Sequence, residues 1–167
     1  MERDSNRPLP ELPWYVIATA VIVLDQASKL AAEAYLAYLH PVPLLPVLSL
    51  TLSYNPGAAF SFLGDASGWQ RWFFTGFALL VSVALIIWLR RLPPGERVMT
   101  WGLSLLLGGA LGNVIDRLVH GHVIDFIHVH YKGWHYPIFN IADSAITVGV
   151  LLVLYQAFWL DRGRGGN

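Results

Sequence analysis

WFFTGFALLVSVALIIWL, residues 72–89, runs for eighteen residues without a charge. A hydrocarbon core about 30 Å thick takes about 20 apolar residues of helix, so this stretch reads as a transmembrane span. Three more segments have comparable length and character: residues 14–36, 98–118 and 141–160. They differ in carrying polar groups. Asp25, Gln26, Lys29 and Glu33 lie in the second half of the first span, Asn113, Asp116 and Arg117 end the third, and Asp143 stands near the start of the fourth. Of 167 residues, 55% are hydrophobic and 13% charged, against roughly 25% charged in a soluble domain. The expectation is an all-α membrane protein, one membrane domain over residues 1–167, with four transmembrane helices.

The same composition excludes several functions. Net charge is zero, which gives no bulk attraction for nucleic acid. With no cysteine, a thiol nucleophile, a disulfide framework and thiolate metal ligands are all absent. The first span has a rival reading as a secretory signal, because Arg3 and Arg7 precede a short apolar run and Ala32-Glu33-Ala34 imitates a cleavage site. Asp25 and Lys29 interrupt the region between run and site, which favours a retained anchor.

Basic residues set the expected orientation. Arg3, Arg7, Arg90, Arg91, Arg97, Arg162 and Arg164 flank the spans on one side, leaving Lys29, Arg71, Arg117 and Lys132 for the other side or the membrane. The positive-inside rule then places both termini in the cytoplasm. Asp25, Asn113, Asp116, Asn140 and Asp143 all fall toward the outer ends of their helices. Two extracytoplasmic connections, 37–71 and 119–140, are long for links between packed helices. Val47 to Tyr54 alternates apolar and polar residues, and Val123 to Tyr131 is a second β-leaning run containing Asp125. A small extracytoplasmic β-sheet resting on the bundle is expected, with a disordered tail from Arg162 to Asn167.

Four aspartates, Asp25, Asp116, Asp125 and Asp143, thus lie in or beside membrane segments. A carboxylate there costs about 2.5–3.5 kcal/mol on insertion scales, so each needs a partner or a task. Asp25 and Lys29 stand at i,i+4, a pairing that makes buried charge tolerable and suggests a supporting role. Asn140 and Asp143 have the spacing of a helix N-cap and an acid three residues later, which is compatible with further work at the site. Asn113, Asp116 and Arg117 are near neighbours on one helix and can form a polar patch, with Asp116 paired to a cation and Arg117 reaching to the interface, a substrate carbonyl or a lipid headgroup. Gly102, Gly108, Gly109 and Gly112 suit close helix packing rather than a phosphate cradle. Tyr54-Asn55-Pro56-Gly57 reads as a strand end entering a turn, or as a clamp for an extended peptide. His120 and His122, then His128 and His130, share faces if extended, with His135 close by. Zinc is nonetheless not expected, since no His-Glu-x-x-His helix is present.

Two carboxylates held close together cannot both ionise easily, so such a pair shares one proton. The ionised member can then activate water while the protonated one polarises an amide carbonyl. No metal, cofactor or covalent intermediate is required. Spacing does not choose which two of the four aspartates pair.

Five motifs occur in order: Asp25-Gln26-x-x-Lys29, Asn55-x-Gly57-Ala58-Ala59-Phe60-Ser61, Gly112-Asn113-x-x-Asp116-Arg117, Val123-Ile124-Asp125-Phe126 and Phe139-Asn140-x-Ala142-Asp143. Together with four spans, they resemble the lipoprotein signal peptidases (signal peptidase II), aspartyl peptidases of bacterial inner membranes, from about Trp14 to Leu160. The resemblance implies that Asp125 and Asp143 form the catalytic dyad. It implies that Asn113, Asp116, Arg117 and Asn140 support the site, and that Asp25, Asn55 and Gly57 help shape it. It further implies a diacylglyceryl-modified prolipoprotein substrate, cleaved just before the lipidated cysteine, inhibition by globomycin, contact with membrane lipid, and a monomer working near the outer leaflet. Proton or cation transport, a zinc hydrolase and a non-catalytic assembly protein are the rival readings. Against transport, the second span offers no polar path across.

Overall fold

The computed structural model describes residues 13–57 and 68–160. The Ala58–Ser61 part of the second motif, the flanking arginines Arg3, Arg7, Arg162 and Arg164, and the expected disordered tail lie outside the described residues.

Among the described residues, four helices are long and apolar enough to cross a membrane. They are α1 (Trp14–Tyr35), α2 (Trp69–Arg91), α3 (Arg97–Val119) and α4 (Ile141–Tyr155), the last continuing through a π-helical turn at Gln156–Leu160. Hydropathy located each to within a few residues. The second span is longer than its uncharged run because Gln70 and Arg71 extend it at one end and Arg90 and Arg91 at the other. Those last two suit the negative end of a helix dipole.

Helix α3 is the hub, packing on all three other helices. Its glycines make that possible. A Cβ on Gly108 would lie 2.8 Å from the Ala18 carbonyl of α1, and one on Gly109 would overlap the Ala142 carbonyl of α4. Among apolar lipid tails helices gain little from hydrophobic burial, so close backbone approach and dispersion must hold them. Ala18, Leu85, Leu89, Met99, Leu103 and Leu107 form the buried cluster of the bundle.

The sheet is antiparallel and runs β1 (Val42–Leu45), β2 (Leu48–Asn55), β3 (Val123–Tyr131), β4 (Trp134–His135) in that order. The two central strands are the two expected ones. Neither edge strand was expected: β1 contains Pro43 between Pro41 and Pro46, and β4 has two residues. Both are too short or too proline-rich for a periodicity signal, and proline is tolerated at an edge. Leu52, Ile124 and Phe126 press the sheet onto Ala32 of α1, which fixes it over one end of the bundle.

One irregularity in the sheet matters. Leu50 pairs with Ile127 and Ser53 with Asp125, so β2 carries one residue more than β3 between these pairs. This bulge turns the end of β2 over by one face. Asn55, opposite Val123, therefore shares a face with Asp125. In an unbroken register it would point the other way.

Candidate active site

All the polar residues singled out in the helices meet at the sheet end of the bundle. Helix α4 begins there with a capping box: Asp143 N–H donates to Asn140 Oδ1 at 2.9 Å, and Asn140 N–H donates to Asp143 Oδ2 at 3.3 Å. Asn140 is fully buried, and its side-chain amide donates at 2.7 Å to Asp125 Oδ1. One residue thus touches both acids, one through its side chain and the other through its backbone. Asn55 Nδ2 reaches the second oxygen of Asp125 at 3.1 Å, and Asn113 Nδ2 reaches Asp143 Oδ1 at 2.8 Å. Gly57, at φ +106°, closes the turn after β2 by donating its N–H to Asn55 Oδ1 at 3.0 Å. That φ favours glycine, and the bond orients the Asn55 amide toward Asp125.

The remaining two aspartates make a different arrangement. Lys29 Nζ lies 2.7 Å from Asp25 Oδ2 and 2.8 Å from Asp116 Oδ2. All three side chains are at most 2% exposed. Asp25 also accepts from the N–H of Ala142 at 2.9 Å, and Asp116 from that of Ile124 at 3.0 Å. The first ties α1 to the start of α4, and the second ties α3 to β3. Gln26 Nε2 adds a bond to Asp116 Oδ1 at 2.8 Å. A Cβ on Gly112 would sit 2.6 Å from Asp25 Oδ2, so only glycine lets the carboxylate pass between α1 and α3.

The expected patch of Asn113, Asp116 and Arg117 is therefore divided. Asn113 and Asp116 are bridged by Lys29, which donates to Asn113 Oδ1 at 3.1 Å. Arg117 turns away, donating to the Asn113 carbonyl at 3.2 Å with its guanidinium 5.8 Å from the Phe74 ring. Its Nε is buried with no partner among the described residues. Sequence reasoning foresaw a cation for Asp116 but did not identify Lys29, and it gave Gln26 no role. An excess of buried acid near a single membrane lysine was the available signal. Arg71, whose Nη2 donates to the Leu118 carbonyl at 3.0 Å, had none.

Four carboxylates here face two cations, Lys29 and Arg117. Lys29 bonds to Asp25 and Asp116; among the described residues, no cation lies within ion-pair distance of Asp125 or Asp143. Burial, and after it the charge of Asp143, push Asp125 up to about 7, against the opposite pull of Asn55, Asn140 and Lys29. A carboxylate in that range exchanges a proton near neutral pH.

Asp125 is 3% exposed, whereas Asp143 opens onto two grooves. One, about 360 Å³, runs between α2, α3 and α4 and includes Arg117. The other, about 310 Å³, is lined by Tyr136, Phe139, Ser144 and Thr147. The histidines lie elsewhere. His128 and His130 occupy the face of β3 opposite Asp125, where His135 Nδ1 comes 3.0 Å from His128 Nε2. Among the described residues no three His, Asp or Glu side chains converge as a metal site.

Comparison with known proteins bears on this arrangement. The profile of the family described as signal peptidase (SPase) II matches residues 17–159. The lipoprotein signal peptidase of Acinetobacter baumannii is 53% identical over 156 residues, covering 93% of this chain and 89% of that protein. That of Pseudomonas aeruginosa is 52% identical over 149 residues, 88% of each. A solved structure described as a bacterial membrane enzyme superposes with a TM-score of 0.79 at 33% identity, covering 92% of this chain and 91% of that one.

Proposed function

This chain belongs to the signal peptidase II family, and from that premise we propose that Asp125 and Asp143 are its catalytic acids. It is a multi-pass membrane peptidase that removes signal peptides from prolipoproteins. Its substrate carries a diacylglyceryl group on cysteine, and cleavage falls immediately before that residue.

The observation that carries the dyad assignment is the contrast between the two acid pairs. Asp25 and Asp116 are neutralised by Lys29 and bonded to backbone N–H groups of β3 and α4. Asp125 and Asp143 are held by neutral amides that leave the charge uncompensated. With one proton between them, the ionised carboxylate accepts a proton from water as that water attacks the scissile carbonyl. The protonated carboxyl donates to the carbonyl oxygen. Collapse of the tetrahedral species breaks the C–N bond, and the proton taken from water leaves on the amine. The resting proton favours Asp125, the acid more fully shut off from solvent. The pair titrates as a unit, so its pH limits belong to both acids.

Arg117 and Asn113 flank Asp143 in the larger groove and bind substrate carbonyls, while Asn55, Gly57 and Asn140 keep Asp125 aimed. The protein sits in the bacterial inner membrane as a monomer with both termini in the cytoplasm, which puts the acids near the outer leaflet. The substrate's acyl chains, anchored at the outer leaflet, then hold the scissile bond at the depth of the dyad, a positional constraint that lowers the barrier.

The test is incubation of purified protein with a diacylglyceryl-modified preprotein and with the same preprotein unmodified. Mass spectrometry should find cleavage only of the modified form, before its lipidated cysteine, and globomycin should block it. No cleavage, or equal cleavage of both forms, would reject this function.

A further inference from the structure

The larger groove beside Asp143 has a length and a polarity that the dyad does not explain. On α2 it is lined by Phe74, Ala78, Val81 and Leu85, one stripe of that helix. On α3 it is lined by Leu106, Ala110, Asn113 and Arg117, the facing stripe. The helices run in opposite directions, so Phe74 meets Arg117 at the sheet end and Leu85 closes the other end beside Leu106. Each stripe spans eleven residue steps, or about 16 Å of helix, close to half of a hydrocarbon core of about 30 Å. Everything polar lies at one end: Asp143, Asn113 and Arg117, whose buried Nε has no partner among the described residues. Everything beyond is apolar, and Leu85 joins the bundle core that forms the floor.

We propose that this groove receives one acyl chain of the substrate's diacylglyceryl group and measures its length. The inference rests on the peptidase reading and adds which part of the substrate lies where. A groove one leaflet deep, polar at the headgroup end and apolar at the floor, matches an ester-linked acyl chain. Arg117 stands where the ester carbonyl would enter and offers an N–H that no described residue accepts. Ala78 and Ala110 leave the middle of the groove open, and larger side chains there would shorten it.

The experiment compares kcat/KM for two preproteins that differ only in carrying dioctanoyl or dipalmitoyl glyceryl groups. Ala78→Leu and Ala110→Leu should each raise the dioctanoyl-to-dipalmitoyl ratio tenfold or more. Leu106→Ala, which deepens the floor, should lower it. Ala84→Leu, on the exposed face of α2, should leave the ratio where it is in the wild type. A ratio moving less than twofold in both filled variants, whatever their absolute rates, overturns the inference while leaving the peptidase intact. Wild-type protein that cleaves neither substrate would remove both. A photoreactive group at the acyl terminus gives a second readout on the unmodified enzyme: labelling of Leu106 or Leu85 supports the groove, and labelling confined to α1 contradicts it.

Discussion

Two pairs of aspartates lie within one buried cluster and are built in opposite ways. Asp25 and Asp116 share Lys29 and accept backbone N–H groups from β3 and α4, so their charges are matched and their positions tie four elements together. Among the described residues, Asp125 and Asp143 receive only amides, from Asn55, Asn113 and Asn140. A buried acid with a cation is a structural joint. A buried acid with neutral donors and a second acid beside it is set to hold a proton. On the proposed reading, this difference separates scaffold from chemistry among residues of the same type.

The comparison breaks most visibly by removing one charge from each pair in turn. Asp143→Asn keeps the capping geometry but abolishes the shared proton, and cleavage should fall by about 10²–10⁴-fold with the unfolding midpoint in detergent little changed. Asp116→Asn should do the reverse. It leaves Lys29 partly uncompensated, costing about 3–5 kcal/mol, which is read as a lowered midpoint and poor membrane accumulation. Lys29→Met should destabilise comparably, and Asp25→Asn added to Lys29→Met should recover part of the loss. If Lys29→Met accumulates normally and fails only in cleavage, the division between the pairs is wrong.

Stability against pH sharpens the contrast. Asp125 is raised from an ordinary carboxyl near 4 to about 7, so the folded protein binds this proton more tightly than the unfolded chain. Stability contributed by that proton is present below the unfolded value and is lost as pH rises to about 7. Asp125→Asn should flatten this part of the stability profile, which thermal unfolding across pH can follow. Activity should fall as pH climbs through the same region, because the second ionisation removes the acid.

The smallest expected effect is at Asn55. Its hydrogen bond favours the ionised form of Asp125. A bond to a charged group is worth about 1.5 kcal/mol, and one pKa unit is about 1.4 kcal/mol. Asn55→Leu should therefore move the alkaline limb of kcat/KM upward by about one pH unit. A shift downward would contradict the assigned role.

Much of this was legible in the chain. The uncharged run at residues 72–89 and its three companions located the spans because hydropathy over such lengths has few alternative explanations. Val123–Tyr131 was found as a strand from composition. Asp25 with Lys29 was visible at i,i+4, and Asn140 with Asp143 at the spacing of a cap. What could not be read was partnership across elements. Asp116 meets Lys29 over a separation of 87 residues, and no local pattern encodes that. Asn55 faces Asp125 only because β2 carries an extra residue between Leu50 and Ser53, a bulge that the alternation of Val47–Tyr54 conceals. The choice of dyad came from the family resemblance that the five motifs carry, and the differing environments of the four acids are consistent with it.

The most direct test is Asp125→Asn, purified and assayed beside the wild type on lipidated preprotein, with unfolding followed in the same sample. The expected result is a protein at least as stable as the wild type near neutral pH that no longer cuts. A variant that still processes the substrate at a rate near wild type would contradict the assignment of the chemistry to this pair.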